Sequence, residues 1–233
     1  MAGVSAYAYK PQGAFSVFPR VGLNLSTLSD ASLWASASQE IKPRRRPDLM
    51  IGVDAEWSAL AREKVGLGVM LGVFYSRQGC HYPDYIEDLP IAKPGETQAM
   101  DYDTNNIMLD YINVPLTANL YVTDYLFFRA GVQCGFNVGG KWKYESTLVT
   151  TAKDGTTTYG ETMKTSYDMK WMLNKVVWSI PIAVGVEFGN VQLEVRYNIP
   201  LTRYCKDVMV EDELYSLSKG SNRVLSFSVG YRF

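Results

Sequence analysis

The chain has 233 residues, with 23 Lys and Arg against 24 Asp and Glu, which gives a formal charge of −1. This balance excludes a strongly basic nucleic-acid-binding protein, and a charged fraction of 20% beside 13% aromatic residues excludes a disordered chain. No run of about 18 apolar residues offers a transmembrane helix. With three cysteines and one histidine, we expect no Cys/His zinc cluster and no metal or other cofactor.

The first 16 residues are rich in small side chains. They lack the basic start and the apolar run of about 7–15 residues that a secretory signal has, although Ala6-Tyr7-Ala8 has the small-x-small form of a cleavage site. Residues 1–16 are interpreted as a disordered stub, either a signal-peptide remnant ending near Ala8 or an ordinary flexible terminus. Residues 17–233 are predicted to form a single domain.

Beyond the stub, bulky apolar residues alternate with small or polar ones, and a period of two predicts β-strands. The clearest row takes every second residue from Val65 to Tyr75. In chain order, eight strands are predicted over residues 20–25, 51–57, 65–76, 112–120, 128–138, 178–188, 191–199 and 225–233.

The connections between these strands alternate in length. Short turns are predicted near Ala61-Arg62-Glu63, near Val122-Thr123-Asp124 and at Gly189-Asn190, the last of a type that matches strand twist. The long connections cover residues 27–47, 79–106, 140–174 and 203–221. An even strand number with short turns at one end and long loops at the other is typical of bacterial outer-membrane barrels. We therefore predict an eight-stranded antiparallel up-and-down transmembrane β-barrel, with four long extracellular loops, three short periplasmic turns and both termini periplasmic.

The two faces of the predicted strands differ in chemistry. One face is uniformly bulky and apolar, and the other holds Gly, Ser and charged residues. A soluble barrel would turn the apolar face inward, whereas a membrane barrel turns it toward lipid. Eight strands leave an interior that side chains can fill, and buried charges need partners, so we predict a packed polar network. Its members are Arg20, Asp54, Glu56, Arg129, Glu187, Glu194, Arg196 and Arg232.

Aromatic residues fall near the ends of the predicted strands, as in the belts at membrane interfaces. Those assigned to the turn end are Trp57, Tyr125, Phe188 and Phe233. Those assigned to the loop end are Tyr75, Trp178 and Tyr204.

Four segments resemble known outer-membrane barrels. The last ten residues, in which Phe227, Val229, Tyr231 and Phe233 alternate with small or polar residues, resemble the signal read by the barrel assembly machinery. The segments Arg20–Ser26, Leu109–Leu116 and Phe128–Gly135 resemble the PorT-like family of small outer-membrane β-barrels. That family usually has Glu where Asn113 stands here, so a role of that carboxylate does not carry over. The resemblance implies a Gram-negative outer membrane, contact with its lipid and lipopolysaccharide, and the assembly machinery as a partner.

The loops carry several candidate sites. His81, the only histidine, could act as a base beside Asp84 or Asp103 in a rim enzyme, but no nucleophile spacing is recognisable and a solvated loop histidine is expected. The segment from Asp101 to Asn105 begins like a calcium loop and then fails, because Asn106 and Ile112 stand where Gly and Glu are needed. A solvated acidic loop is therefore the expectation.

Two further loop features are weighed in the same way. Pro43-Arg44-Arg45-Arg46-Pro47 either contacts lipopolysaccharide phosphates, whose geometry suits Arg, or is a solvated charge run. Cys80 and Cys205 are placed in loops on opposite sides of the barrel and are expected to stay unpaired, and Cys134 is expected to face lipid.

These observations favour a non-enzymatic outer-membrane barrel that presents surface loops, with a structural, binding or envelope-assembly role that could include secretion as an accessory factor or membership of an envelope complex. The alternatives are a narrow small-solute channel, a rim enzyme using His81, and a soluble lipocalin-like carrier.

Overall fold

A computed structural model describes residues 12–36, 39–61, 65–90, 96–123, 125–210, 213–216 and 220–233. Within these ranges almost all regular structure is β. The strands are β1 Phe15–Leu28, β2 Leu33–Ser36, β3 Gln39–Ile41, β4 Arg46–Ala61, β5 Gly66–His81, β6 Tyr85–Leu89, β7 Glu96–Tyr121, β8 Leu126–Ala152, β9 Thr157–Asp168, β10 Val176–Phe188, β11 Val191–Pro200, β12 Asp207–Val210, β13 Glu213–Ser216 and β14 Asn222–Tyr231. One short 3-10 helix covers Lys170–Met172. Among the described residues, no helix is long and apolar enough to cross a membrane.

Eight of these strands close into a barrel. Their order is β1-β4-β5-β7-β8-β10-β11-β14, and β14 pairs with β1 to complete the ring. Every neighbouring pair is antiparallel, and closure leaves no unpaired strand edge in the wall. The predicted eight-stranded antiparallel barrel is confirmed, and each of the eight predicted strands lies within or overlaps one strand of the wall.

Short turns and both ends of the described chain meet at one end of the barrel, here named the turn end. Gly189 in the β10–β11 turn has φ +59°, a left-handed conformation that suits Gly in a two-residue hairpin. The C-terminal Phe233 exchanges backbone hydrogen bonds of 2.9 and 3.3 Å with Val17. β1 begins at Phe15, inside the predicted stub, because Phe15 pairs with Trp57 of β4. The structure does not describe residues 1–11 of the predicted stub. It also does not describe residues 62–64 and 124, which belong to two of the predicted turns.

The opposite end, the loop end, contains more strand than the sequence analysis predicted. β7 has 26 residues and β8 has 27, and both continue beyond the barrel wall. With β6 and β9 they form a four-stranded layer, the loop-end sheet, which comprises β6, residues 96–106 of β7, residues 142–152 of β8, and β9. The long loops predicted at 79–106 and 140–174 are therefore largely strands. Thr and Tyr, which favour strands, dominate these segments without the apolar alternation that marks the wall.

The outward face of the wall is apolar and the lumen is polar, the reverse of the soluble lipocalin-like alternative. Many residues at the outward positions are about half exposed. The following eight expose between 41% and 54% of their surface: Val21, Leu23, Ile51, Leu71, Val73, Val132, Val184 and Phe227. Such a continuous apolar band fits the hydrocarbon of a bilayer. The main apolar core lies instead across the loop end.

This apolar core, named the mouth cluster, consists of Leu28, Ile41, Cys80, Tyr82, Ile107, Leu109, Tyr111, Met169, Leu173, Tyr204 and Cys205. It corrects the placement of Tyr204 in the outer aromatic belt, because that ring is only 4% exposed. The backbone of residues 201–205 folds back over the barrel, where the amide of Asn174 donates to the Tyr204 carbonyl at 2.9 Å. Cys80 and Cys205 belong to the same cluster rather than to opposite sides of the barrel, and both are free thiols.

Candidate functional site

Five charged residues meet in the middle of the lumen and are named the central charged cluster: Arg20, Asp54, Arg129, Glu194 and Arg196. All are at most 3% exposed. The Glu194 carboxylate of β11 lies 2.5 Å from Arg129, 2.8 Å from Arg196 and 3.6 Å from Arg20. Asp54 of β4 lies 3.1 Å from Arg20 and 3.6 Å from Arg129. Each charge therefore has an opposite charge beside it, the condition under which buried charges are tolerated.

The other predicted interior charges lie closer to the turn end. Arg232 and Glu187 form an ion pair of 2.5 Å, and Gln192 donates to the other Glu187 oxygen at 2.6 Å. Arg20 donates to Gln192 at 2.8 Å, so this group is joined to the central charged cluster. The structure thus brings seven of the eight predicted interior residues into one connected set.

The eighth predicted interior residue, Glu56, is fully buried nearby. Its two carboxylate oxygens both accept from the Tyr121 hydroxyl at 3.0 Å. Sequence reasoning missed Tyr121, Gln192 and Asn119, which accepts from Arg129 at 2.6 Å. All three stand at inward positions of their strands, so the period-2 pattern indicates their direction, but it does not show which uncharged inward residues bond to the charges.

Glycines on β5 provide the room for this network. A Cβ added at Gly72 would collide with the Asp54 carboxylate, and one added at Gly68 would collide with the Glu56 carboxylate. The inward face of β5 is therefore kept small where the carboxylates of β4 lean against it.

A layer of uncharged polar side chains separates the charges from the mouth cluster. Asn24 donates to Ser76 at 2.8 Å and accepts from Ser226 at 2.7 Å. Gln78 donates to the same Ser76 hydroxyl at 2.8 Å and accepts from Asn222 at 2.5 Å. The charges lie below this layer and the mouth cluster lies above it, so buried side chains occupy successive levels of the described lumen, and a cavity of about 30 Å³ remains beside Gln78 and Asn222.

The mouth cluster is tied down by hydrogen bonds and holds its polar groups neutral. The Tyr82 hydroxyl donates to the Ala31 carbonyl, and the Asn174 amide side chain donates to the carbonyls of Arg203 and Cys205 at 2.9 and 3.0 Å. Burial raises the pKa of the Cys205 thiol to about 11, so this thiol is protonated and poorly nucleophilic at neutral pH.

Above the mouth cluster, aromatic rings line one face of the loop-end sheet. This set, named the aromatic row, consists of Tyr85 on β6, Tyr102 on β7, Trp142 and Tyr144 on β8, and Tyr167 on β9. Ring centroids of its neighbouring members are 4.8 to 6.4 Å apart, within the range of favourable aromatic pairing. The Trp142 indole N–H donates to the Asn105 side chain at 2.7 Å, which fixes that ring. Burial raises the pKa of Tyr85 to about 12.

A groove runs beside the aromatic row. Its volume is about 610 Å³, within the range of small-molecule sites. One wall is formed by Trp142, Tyr144 and Tyr167, and the other by residues 30–33, 168–169 and 171–172. The floor is the mouth cluster. No sequence pattern pointed to this groove, because its walls come from three separate parts of the chain.

The candidate residues of the predicted loops lie mostly on or beside strands at the loop end. His81 is the last residue of β5, and its backbone exchanges hydrogen bonds of 2.7 and 3.2 Å with Arg44. Arg46 begins β4 and pairs with Asp48 at 3.2 Å, so one of the three loop arginines is engaged within the chain. Asp103 lies on β7, where desolvation and nearby Asp101 and Asp84 raise the pKa of its carboxyl group. Among the described residues, no group of three or more His, Cys, Asp or Glu side chains is placed to hold a metal ion.

The predicted belt residues other than Tyr204 lie on the outer surface. Trp57, Tyr125, Trp178 and Phe188 are about half exposed or more, and the rings of Tyr125 and Phe188 stack at 6.4 Å. Tyr75 is half-buried and donates to Asp110 at 2.6 Å. Cys134 stands in an outward row of β8 and is partly exposed.

The C-terminal row also points outward. Phe227, Val229 and Tyr231 expose 44–47% of their surface and Phe233 exposes 76%.

The family model described as "Outer membrane protein beta-barrel domain" matches residues 9–204. The chain belongs to this family. It is accordingly an integral barrel of the bacterial outer membrane, in agreement with the apolar outer face of its wall.

Solved structures of other outer-membrane proteins are similar to this barrel at low identity. Ail, the attachment invasion locus protein of Yersinia pestis, is 9% identical with a TM-score of 0.36, and the match covers 96% of this chain and 100% of that one. CarO of Acinetobacter baumannii is 15% identical with a TM-score of 0.31, covering 91% and 97%. The toluene transporter TodX of P. putida is 11% identical with a TM-score of 0.25, covering 97% and 91%. At these TM-scores the likenesses assign neither a ligand nor an activity to this barrel. No curated protein matches the chain.

Proposed function

We propose that this outer-membrane barrel is a closed, non-enzymatic scaffold that holds the loop-end sheet and its groove at the cell surface for binding. The observation that carries the proposal is that buried, mutually paired side chains occupy successive levels of the lumen. The central charged cluster, the uncharged polar layer and the mouth cluster succeed one another along the barrel axis. Ions would have to separate buried pairs such as Glu194–Arg129, at 2.5 Å, to pass through.

The proposal includes an orientation. The loop end faces the exterior and the turn end faces the periplasm, as in barrels with short periplasmic turns and long outer loops. The outer face then contacts lipid and lipopolysaccharide of a Gram-negative envelope, and the C-terminal row from Phe227 to Phe233 serves as the assembly signal. A signal peptide that precedes the mature barrel is part of the same proposal.

Membership of the PorT-like branch within the family is also proposed. Two of the segments that resemble that branch, Arg20–Ser26 and Phe128–Gly135, contribute Arg20 and Arg129 to the central charged cluster. The resemblance therefore includes residues that close the lumen. A structural or accessory role beside a larger envelope complex is compatible with such a closed barrel.

Conductance in planar bilayers tests the closed lumen. The wild-type protein, shown to be inserted by flotation with lipid vesicles, is expected to give no conductance steps. The double variant Arg129→Ala/Glu194→Ala removes two large side chains from the centre and should give small steps, which proves that the assay detects an opened barrel. Steps of the same size from the wild-type protein would overturn the proposal in favour of the narrow channel.

Thiol labelling of intact cells tests the orientation. Asp154→Cys introduces a thiol at the tip of the β8–β9 hairpin, and Asn190→Cys introduces one in the turn between β10 and β11. A membrane-impermeant maleimide should label the first variant and not the second. Labelling only of the second would mean that the barrel is inserted in the opposite sense.

A further inference from the structure

The groove beside the aromatic row is lined mainly by apolar and aromatic side chains. Of its 15 lining residues, 12 are aliphatic, aromatic or sulfur-containing, and the other three are Asp30, Ser32 and Asp168. Trp142 stands directly opposite the buried Ile107 of β7, and residues opposite one another in a ladder share a face of the sheet. The groove therefore lies over the mouth cluster on the axial side of the barrel, away from the lipid outside the wall.

Several polar atoms on the inner surface of the groove already have partners within the chain. The Tyr82 hydroxyl donates to the Ala31 carbonyl, and the Trp142 indole N–H donates to Asn105 at 2.7 Å. The Cys205 carbonyl accepts from the side-chain amide of Asn174 at 3.0 Å. These groups are not available to a ligand rich in hydroxyls or amides, which would give up its own hydration to enter.

The acids of the lining lie at its exposed rim and do not favour a charged ligand. Asp168 precedes Lys170 by two residues and stands opposite Lys141 of β8. Asp30 is exposed and is also engaged within the chain. Exposed charges with neighbouring partners attract a further ion only weakly, and they keep their water when a ligand lies deeper. A charged ligand would gain little at the rim and would lose hydration inside, so a neutral ligand is favoured.

The size of the groove and its side chains narrow the class of ligand. Its volume of about 610 Å³ suits a small molecule, and its 15 lining residues are fewer than the roughly 20–30 per side of a standard protein interface. Trp142, Tyr144 and Tyr167 form one wall, and Met169 and Met172 belong to the other. Aromatic rings pair favourably with other rings and with thioether sulfur, so both walls suit an aromatic ligand.

We propose that this groove binds a neutral, flat aromatic molecule of one or two rings, inserted between the aromatic wall and the two methionines. Trp171, which lines the same groove and exposes 57% of its surface, stands at the open side. The inference deepens the binding role proposed above, and it rests on that proposal only in taking the loop end to be accessible from outside the cell.

The test uses the full-length protein in lipid nanodiscs at pH 7 and three probes that share one ring system. Naphthalene is the neutral probe, 2-naphthoate is the anion and 2-naphthylmethylammonium is the cation. Equilibrium dialysis measures the bound probe, and empty nanodiscs of the same lipid give the amount dissolved in the bilayer. After this subtraction, naphthalene is expected to bind saturably and at least tenfold more tightly than either charged probe, because the charged probes lose hydration in an apolar groove.

Two matched pairs of variants locate the binding. Met172→Gln and Tyr167→Ser change residues that line the groove, and each should weaken naphthalene binding at least threefold. Met163→Gln and Tyr159→Ser make the same changes at residues of β9 that are 66% and 69% exposed and do not belong to the lining, and they should leave binding unchanged. Folding of every variant is checked by the gel shift of the unboiled barrel.

Three outcomes would overturn the inference. The first is no saturable binding of naphthalene above the empty-nanodisc blank, which would leave a macromolecule as the occupant of this end. The second is equal or tighter binding of either charged probe, and the third is equal weakening by the control variants. Nanodiscs leave both ends of the barrel open to solution, so these results do not depend on orientation or conductance, and failure here leaves the closed scaffold standing.

Discussion

Glu194→Gln is expected to be among the most destabilising single substitutions in the lumen. The glutamine keeps the volume of the side chain and removes its charge, while guanidinium groups remain 2.5 to 3.6 Å from its position. Three arginines of the central charged cluster would then share Asp54 as the remaining acid. Removing one partner of a buried ion pair costs about 3–5 kcal/mol. Because Glu194 has three partners, we expect a loss of about 4–5 kcal/mol in the free energy of unfolding.

Arg129→Met provides the comparison within the same cluster. Its removal leaves two arginines and two acids, so the remaining charges still balance, and Met fills part of the space. We expect a smaller loss, about 3 kcal/mol or less, part of which comes from the Asn119 oxygen that loses its donor. The order of the two variants, rather than either value alone, tests the view that Glu194 is the centre of the network.

The assay is guanidinium unfolding in lipid vesicles, followed by Trp fluorescence and by the gel shift of unboiled samples. Glu145→Gln is the control, because Glu145 pairs at 3.0 Å with Lys164, whose side chain is 78% exposed. An exposed pair of this kind contributes less than about 1 kcal/mol. The reasoning is refuted if Glu194→Gln costs no more than this control, or less than Arg129→Met.

Three further predictions concern the wall and the mouth cluster. Leu71→Arg, on the outward face, should lower the free energy of unfolding in lipid by about 2–4 kcal/mol. The control Met163→Arg, on β9 beyond the wall and 66% exposed, should change it by less than about 0.5 kcal/mol. Equal losses in the same unfolding assay would contradict a lipid-facing Leu71. Gly72→Ala should cost about 1–3 kcal/mol because its Cβ would collide with a buried carboxylate, but Gly66→Ala, whose Cβ would make an ordinary 3.4 Å contact, should unfold like the wild type. Cys205 should resist iodoacetamide at pH 8 until the protein is unfolded, as measured by peptide mapping, because its pKa is raised to about 11 from 9.0. The Cys205 thiol should contribute fully to the free energy of unfolding below about pH 9, and less as the pH rises to about 11, because the thiol ionises first in the unfolded chain. A difference in the free energy of unfolding between wild type and Cys205→Ala that does not change with pH would argue against this.

The barrel wall could be predicted from the sequence because lipid on one side and a charged lumen on the other impose a strict alternation. The same alternation placed Arg20 and Arg129 inside although 109 positions of chain separate them. It could not locate the loop-end sheet, since segments such as 144–151 combine Thr, Tyr and Glu without an apolar face. There the strands are stabilised by pairing with one another rather than by lipid.

The groove was beyond sequence reasoning for a different reason. Residues 30–33, Trp142, Tyr167 and Trp171 have no common spacing, and only the pairing of β8 with β9 and the fold of the first long connection bring them together. Tyr204 was misplaced because an aromatic at a strand end resembles a belt residue. Its direction is set by the backbone that turns back over the barrel, which period-2 analysis does not describe.

The register of the loop-end sheet restricts how the chain can change in length. Trp142 pairs with Tyr167 and Tyr144 pairs with Thr165, so these four residues lie on one face of the sheet, and three of them, Trp142, Tyr144 and Tyr167, line the groove. Deletion of one residue inside β9 would turn its later side chains to the opposite face, and deletion of two would restore the face one pair further along. Insertions between β8 and β9, at residues 153–156, leave this parity intact. Descendants of this gene that keep the groove should therefore lengthen or shorten these strands two codons at a time and vary freely at the hairpin tip.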